Sequence, residues 1–92
     1  MSYRTIIGRT AQRQLLRLPK PTREQAEQHI DGLADDPRPW GSEALSGTLR
    51  PLRKLRVGDY RVAYRIDDEA HLVTVVWAGH RSRIYEELER KQ

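Results

Sequence analysis

A chain of 92 residues, 37% hydrophobic and 33% charged, has length for one domain and one modest core, read as spanning residues 1–92. The apolar residues are patterned and include two Trp and four Tyr, which excludes a disordered composition, and the absence of cysteine excludes disulfide staples and thiolate metal sites. A net charge of +4, with fourteen of the seventeen basic residues Arg, suits a polyanionic partner, because the planar guanidinium fork matches phosphate geometry.

In chain order, Tyr3 to Ile7 reads as a first strand, and its apolar run is too short for a signal peptide. Thr10 is placed to cap a helix running to Arg17, with Ala11, Leu15 and Leu18 on one face. Pro19-Lys20-Pro21 stops it. A second helix is expected from Thr22, which has capping-box spacing to Gln25, and it carries Ala26, Ile30, Leu33 and Ala34 at helical intervals. The segment from Asp35 to Gly41 is a loop, with Trp40 and Leu45 expected to pin it to the core. A meander follows. Strands are expected at Leu52–Val57, Tyr60–Ile66 and His71–Ala78, with Gly58-Asp59 as a two-residue turn, then a short helix from Ser82 to Arg90. These elements make an α+β fold: a mainly antiparallel, twisted sheet of about four strands, an N-terminal α-hairpin packed on one face, and a C-terminal helix. No stretch approaches the roughly 20 apolar residues that cross a bilayer, and the protein is read as soluble and cytoplasmic.

Strand alternation then assigns faces. Tyr60, Val62, Tyr64 and Ile66 share one face with Leu55 and Val57 of the partner strand. Lys54, Arg56, Arg61 and Arg65 share the other, and a two-residue turn at Gly58-Asp59 sets Arg56 directly opposite Arg61. Like charges facing each other across a ladder destabilise it, so an anion arriving on that face explains their presence. The run Gly79-His80-Arg81-Ser82-Arg83-Ile84-Tyr85 brings an imidazole, two guanidiniums and a phenol to the end of the third meander strand. Those are the parts of phosphodiester cleavage: a base for the attacking 2′-hydroxyl, cations for the charged transition state, an acid for the leaving oxygen. His29 and His71 fall on a helix surface and at a turn, outside this set. The three His are scattered, with no metal-ligand spacing and no Gly-rich phosphate loop, so no metal and no cofactor is expected.

The chain resembles the RelE/ParE superfamily of toxins from bacterial toxin–antitoxin pairs, and within it the RelE-type ribosome-dependent mRNA endoribonucleases. The resemblance rests on Tyr3-Arg4-Thr5-Ile6, the helix Ala11 to Pro19, and the linker Leu33 to Pro39. Its most specific pieces are Arg56-Val57-Gly58-Asp59-Tyr60-Arg61-Val62-Ala63-Tyr64, and Gly79-His80-Arg81 followed by Ile84-Tyr85. It implies a RelE-like, microbial-RNase-type fold and metal-independent cleavage of mRNA in the A site of the 70S ribosome, leaving a 2′,3′-cyclic phosphate. It implies Lys54, Arg61, Arg81 and Tyr85 as catalytic residues, with His80 as the alternative base. A second family lysine would fall at Leu52. Arg53, Arg56, Arg65 and Arg83 are the expected RNA-binding residues. The implied partner is a RelB-like antitoxin, acidic and partly disordered when free, in a heterotetramer or larger complex. Two other readings stay open on the sequence: a ParE-type inhibitor of DNA gyrase with the same fold, and a non-catalytic nucleic-acid-binding module or decayed toxin.

Overall fold

In the computed structural model, which describes residues 2–90, β1 (Arg4–Ile7) turns through Gly8 into α1 (Arg9–Leu16). The Gly8 N–H donates to the Val75 carbonyl of the sheet at 2.8 Å. That anchor sets the strand-to-helix corner early, so Thr10 lies inside α1 and does not cap it. The second helix, α2 (Lys20–Gly32), likewise starts before Thr22, and the expected capping box is not formed. Pro21 sits in its first turn, where a missing N–H costs no helical bond and the fixed φ favours entry.

The sheet has five strands in the order β1-β5-β4-β3-β2: β2 (Glu43–Ala44), β3 (Leu52–Val57), β4 (Tyr60–Asp67) and β5 (Leu72–His80). The strand beyond the expected four is β2, whose two residues are too few to carry an alternation signal. β1 runs parallel to β5 and the other pairs are antiparallel. Gly58 takes a left-handed φ of 60°, so the two-residue turn forms and Arg56 pairs with Arg61, Lys54 with Ala63.

The α-hairpin covers one face of the sheet. Ala11 and Leu15 of α1 and Ala26 and Ile30 of α2 pack with Leu33 on Val57, Val62, Tyr64, Val73 and Val75. Past the end of β1, the outer edge of β5 is closed by α1, whose Gln14 side chain accepts the Ala78 N–H at 2.8 Å. A second, smaller core covers part of the opposite face. There Leu45, Leu49, Ala63 and Trp77 meet Ile84 and Leu88 of α3 (Ile84–Arg90).

A bulge in β5 creates that second core. Ala63 pairs with Trp77 but Tyr64 pairs with Val75, which leaves Val76 as the extra residue. Strict alternation would send Trp77 to the hairpin side after Val73 and Val75. The bulge turns it over, and the buried indole donates through Nε1 to Glu87 of α3 at 2.9 Å.

Trp40 departs from expectation. It is fully exposed, at 101% of its reference area. The 35–41 loop is pinned instead by buried Pro37, whose carbonyl accepts from the Tyr64 hydroxyl at 2.8 Å, and by an Arg38–Asp68 ion pair at 2.8 Å. Asp68 also accepts from the Tyr3 hydroxyl at 2.6 Å, and these two donors hold its carboxyl at a pKa of about 2. Leu45 does reach a core. No helix among the described residues is long and apolar enough to cross a membrane.

Candidate active site

A groove of about 460 Å³ opens where β2 ends and the edge of β3 is left uncovered. Its lining includes Lys54 and Arg56 from β3, Arg61 from β4, Glu43 from β2, Trp40 from the loop and His29 from α2. β-Alternation and the tight turn put the three cations there: Lys54 and Arg56 are two residues apart on one face, and Arg61 is the cross-strand partner of Arg56. The Arg61 guanidinium donates to the carbonyls of Gly58 and Tyr60 at 3.0 and 2.8 Å, which fixes its position beside the turn. Burial, and then the Arg56 and Arg81 cations, hold Arg61 below the ordinary arginine pKa. The Arg81 N–H donates to the Asp59 carbonyl at 2.9 Å, which brings the start of the 81–83 turn against the same hairpin.

Tyr85 stands next to this set on α3. Lys54 Nζ lies 5.6 Å from the centre of its ring. Ser46 donates to the phenol oxygen through both its hydroxyl and its backbone N–H, each at 3.3 Å. The Ser46 hydroxyl, its N–H and the Lys54 cation pull the phenol pKa below its ordinary value, against the opposing effect of burial. Donors aimed at the oxygen and a cation beside it favour the phenolate, the form that can take a proton. Lys54, Arg56 and Arg61 thus share the groove, with Tyr85 beside Lys54 and Arg81 close enough to act on Arg61.

The other residues singled out from sequence lie elsewhere. His80 pairs with Tyr60 across the ladder, and the two rings meet edge to face with centres 5.6 Å apart. The β5 bulge has turned His80 to the α-hairpin side, away from Arg61, and its Nδ1 accepts the Ser82 N–H at 3.2 Å. That bond shapes the turn before α3, which is why the helix begins at Ile84 and not at Ser82. Arg53 faces the hairpin side with Tyr64 and is committed to the Ser42 hydroxyl and carbonyl, at 2.9 and 3.0 Å. Arg65 pairs with Leu52 and borders a different hollow, walled by Leu49, Val76 and Leu88. Ala63, buried in the second core, separates it along β4 from Arg61. Arg83 is exposed and ion-paired with Glu87 at 3.5 Å.

Four groups at or beside the groove escaped the sequence reading: Glu43, Ser46, Trp40 and His29, which was expected on an uninvolved helix surface but lines the groove from α2. Glu43 pairs with Lys54 and is the carboxylate that lines the groove, close enough to act on both Arg61 and Tyr85. Only the pairing of β2 with β3 places it there, and a two-residue strand gives no periodic signal. Ser46 acts through a bond to a residue 39 positions away, which no local pattern encodes. Among the described residues, no group of three or more His, Cys, Asp or Glu could hold a metal ion.

Residues 6–85 match the family described as the ParE toxin of type II toxin–antitoxin systems. The chain is 37% identical to Toxin RelE of Mycobacterium tuberculosis over 84 residues, which cover 90% of this chain and 86% of that one. Among solved structures, it is similar to a toxin–antitoxin complex RelBE from Mycobacterium tuberculosis, with a TM-score of 0.78 at 30% identity, covering 88% of this chain and 100% of the other. It is also similar to an archaeal RelE–RelB complex from Pyrococcus horikoshii, with a TM-score of 0.76 at 28% identity and coverage of 90% and 99%. A free E. coli RelE toxin mutant gives a TM-score of 0.77 at 26% identity, with coverage of 99% and 98%.

Proposed function

The chain belongs to the RelE/ParE family of toxins of type II toxin–antitoxin systems, and we propose that it is a RelE-type endoribonuclease that cuts mRNA in the ribosomal A site. One observation carries this reading: Lys54, Arg56 and Arg61 line a single groove, with a phenol of lowered pKa, Tyr85, beside Lys54 and the Arg81 cation close enough to act on Arg61. In the proposed reaction the Tyr85 phenolate takes the proton of the 2′-hydroxyl. The 2′ oxygen attacks phosphorus, the bond to the 5′ oxygen breaks, and a 2′,3′-cyclic phosphate remains. Arg61 and Arg81 hold the scissile phosphate and stabilise its transition-state charge. Lys54 gives a proton to the leaving 5′ oxygen. Arg56 positions the backbone. The proposed chemistry uses none of His80, Arg53 and Arg83, which are bonded to Ser82, Ser42 and Glu87, nor Arg65, which borders a different hollow.

An antitoxin is the proposed protein partner, supported by similar solved structures that are complexes of RelE with RelB. An acidic segment folding over the groove would meet the cations that RNA otherwise meets. The ParE description of the matching family favours one second reading, a gyrase-directed toxin with the same fold. Primer extension on cellular mRNA after induced expression separates the two. Cuts inside translated codons are expected; growth arrest with DNA damage and no cuts would establish the gyrase reading. Arg61→Ala and Arg81→Ala should each abolish growth arrest while the purified proteins keep a cooperative thermal transition. Arrest persisting in both variants would overturn the assignment of the two arginines.

A further inference from the structure

We propose that Trp40 is a stacking platform for one nucleobase of an RNA strand held in the groove. The proposal rests on reading the groove as an RNA site, and it assigns a role to a residue outside the cleavage chemistry. Trp40 is fully exposed, whereas the other tryptophan, Trp77, is fully buried. An indole left wholly in water forfeits a large apolar burial. The loop that presents it is nonetheless built to hold still. On one side Pro37 is buried and its carbonyl is bound by the Tyr64 hydroxyl at 2.8 Å. On the other, Ser42 donates to the Pro39 carbonyl at 2.8 Å and is itself gripped by Arg53 at 2.9 Å. A rigid loop displaying an unpacked aromatic is preorganised for something that arrives later.

The groove indicates what arrives. Trp40 shares its wall with Lys54, Arg56 and Arg61. Cations that take phosphates, next to an aromatic face that takes a base, are the paired elements of single-strand recognition. Stacking needs no hydrogen-bond code, so Trp40 would raise affinity and set strand register without selecting one base.

The test titrates the full-length protein with a short single-stranded RNA, 2′-O-methylated to block attack, and with the same strand carrying one abasic site at each position in turn. Trp40→Ala should weaken binding about tenfold, and Trp40→Tyr should restore most of it. At one position the abasic site should weaken wild type by a similar factor and leave Trp40→Ala unchanged. Arg61→Ala should weaken every strand alike. If Arg61→Ala weakens binding but no abasic position couples to Trp40, the stacking role is overturned and the RNA reading stands. If wild type binds none of the strands, both fall. If Trp40→Ala weakens only the antitoxin complex, the indole is a protein-binding anchor and the proposal fails.

Discussion

Tyr85 owes its acid–base character to one neighbour more than any other. Two donors from Ser46 reach its oxygen, and the hydroxyl is the largest influence lowering its pKa. A lowered phenol pKa means that the phenolate appears at a lower pH than in a free tyrosine. If the phenolate is the base, cleavage rises with pH up to that pKa and then levels off. Ser46→Ala removes the hydroxyl donor and keeps the N–H, so the phenol titration should move upward in an ultraviolet pH titration. The rising limb of the cleavage profile should move with it. Tyr85→Phe should abolish the limb and lower the rate by about 10²–10⁴-fold. A profile that Ser46→Ala leaves in place would transfer the base role elsewhere, and Glu43, the carboxylate that lines the groove, is the group positioned to take it.

The β5 bulge is the element-level feature on which most of the site's layout depends. It turns Trp77 and Gly79 to the face of Arg61, and Ala78 and His80 to the face of Tyr60. Gly79 is then needed for space. A Cβ there would lie 2.7 and 2.9 Å from two carbons of the Trp77 ring, closer than real Cβ atoms come. The ring cannot yield easily, because it is wedged among Ala63, Leu45, Leu49, Ile84 and Leu88 and bonded to Glu87. Gly79→Ala should therefore destabilise the protein by about 1–3 kcal/mol in denaturant unfolding. It should also lower cleavage, since α3 carries Tyr85 and rests on that indole. A variant with unchanged stability would show that Trp77 has room to move. The bulge also separates what was legible in the sequence from what was not. The Gly58-Asp59 turn leaves no freedom of register, so Arg56 opposite Arg61 could be read directly. A single extra residue within an apolar run changes no composition and no turn signal, so the faces of Trp77 and His80 could not.

At the scale of the molecule, the α-hairpin covers one face of the sheet with the larger core, while the second core closes only part of the other. That partial cover divides the basic face. Arg65 is left on one side of α3, and Lys54, Arg56 and Arg61 on the other, beside the groove. Alternation places all four on one face but carries no record of what covers the middle, which is why the cluster looked continuous in sequence. Trp40 misled for a related reason: tryptophan is usually buried, and nothing local marks one that is held out in water. The division has a measurable consequence for RNA affinity. For a single strand, the logarithm of the binding constant falls with the logarithm of salt at about −0.7 per phosphate contact. Lys54, Arg56, Arg61 and Arg81 acting together should give a slope near −3. Arg61→Ala should flatten it by about 0.7, and Arg65→Ala should leave it unchanged, although both residues lie on the same strand face. An equal effect from the two substitutions would mean that RNA crosses the second core and contacts both sides of α3. The groove would then be only part of a longer binding track.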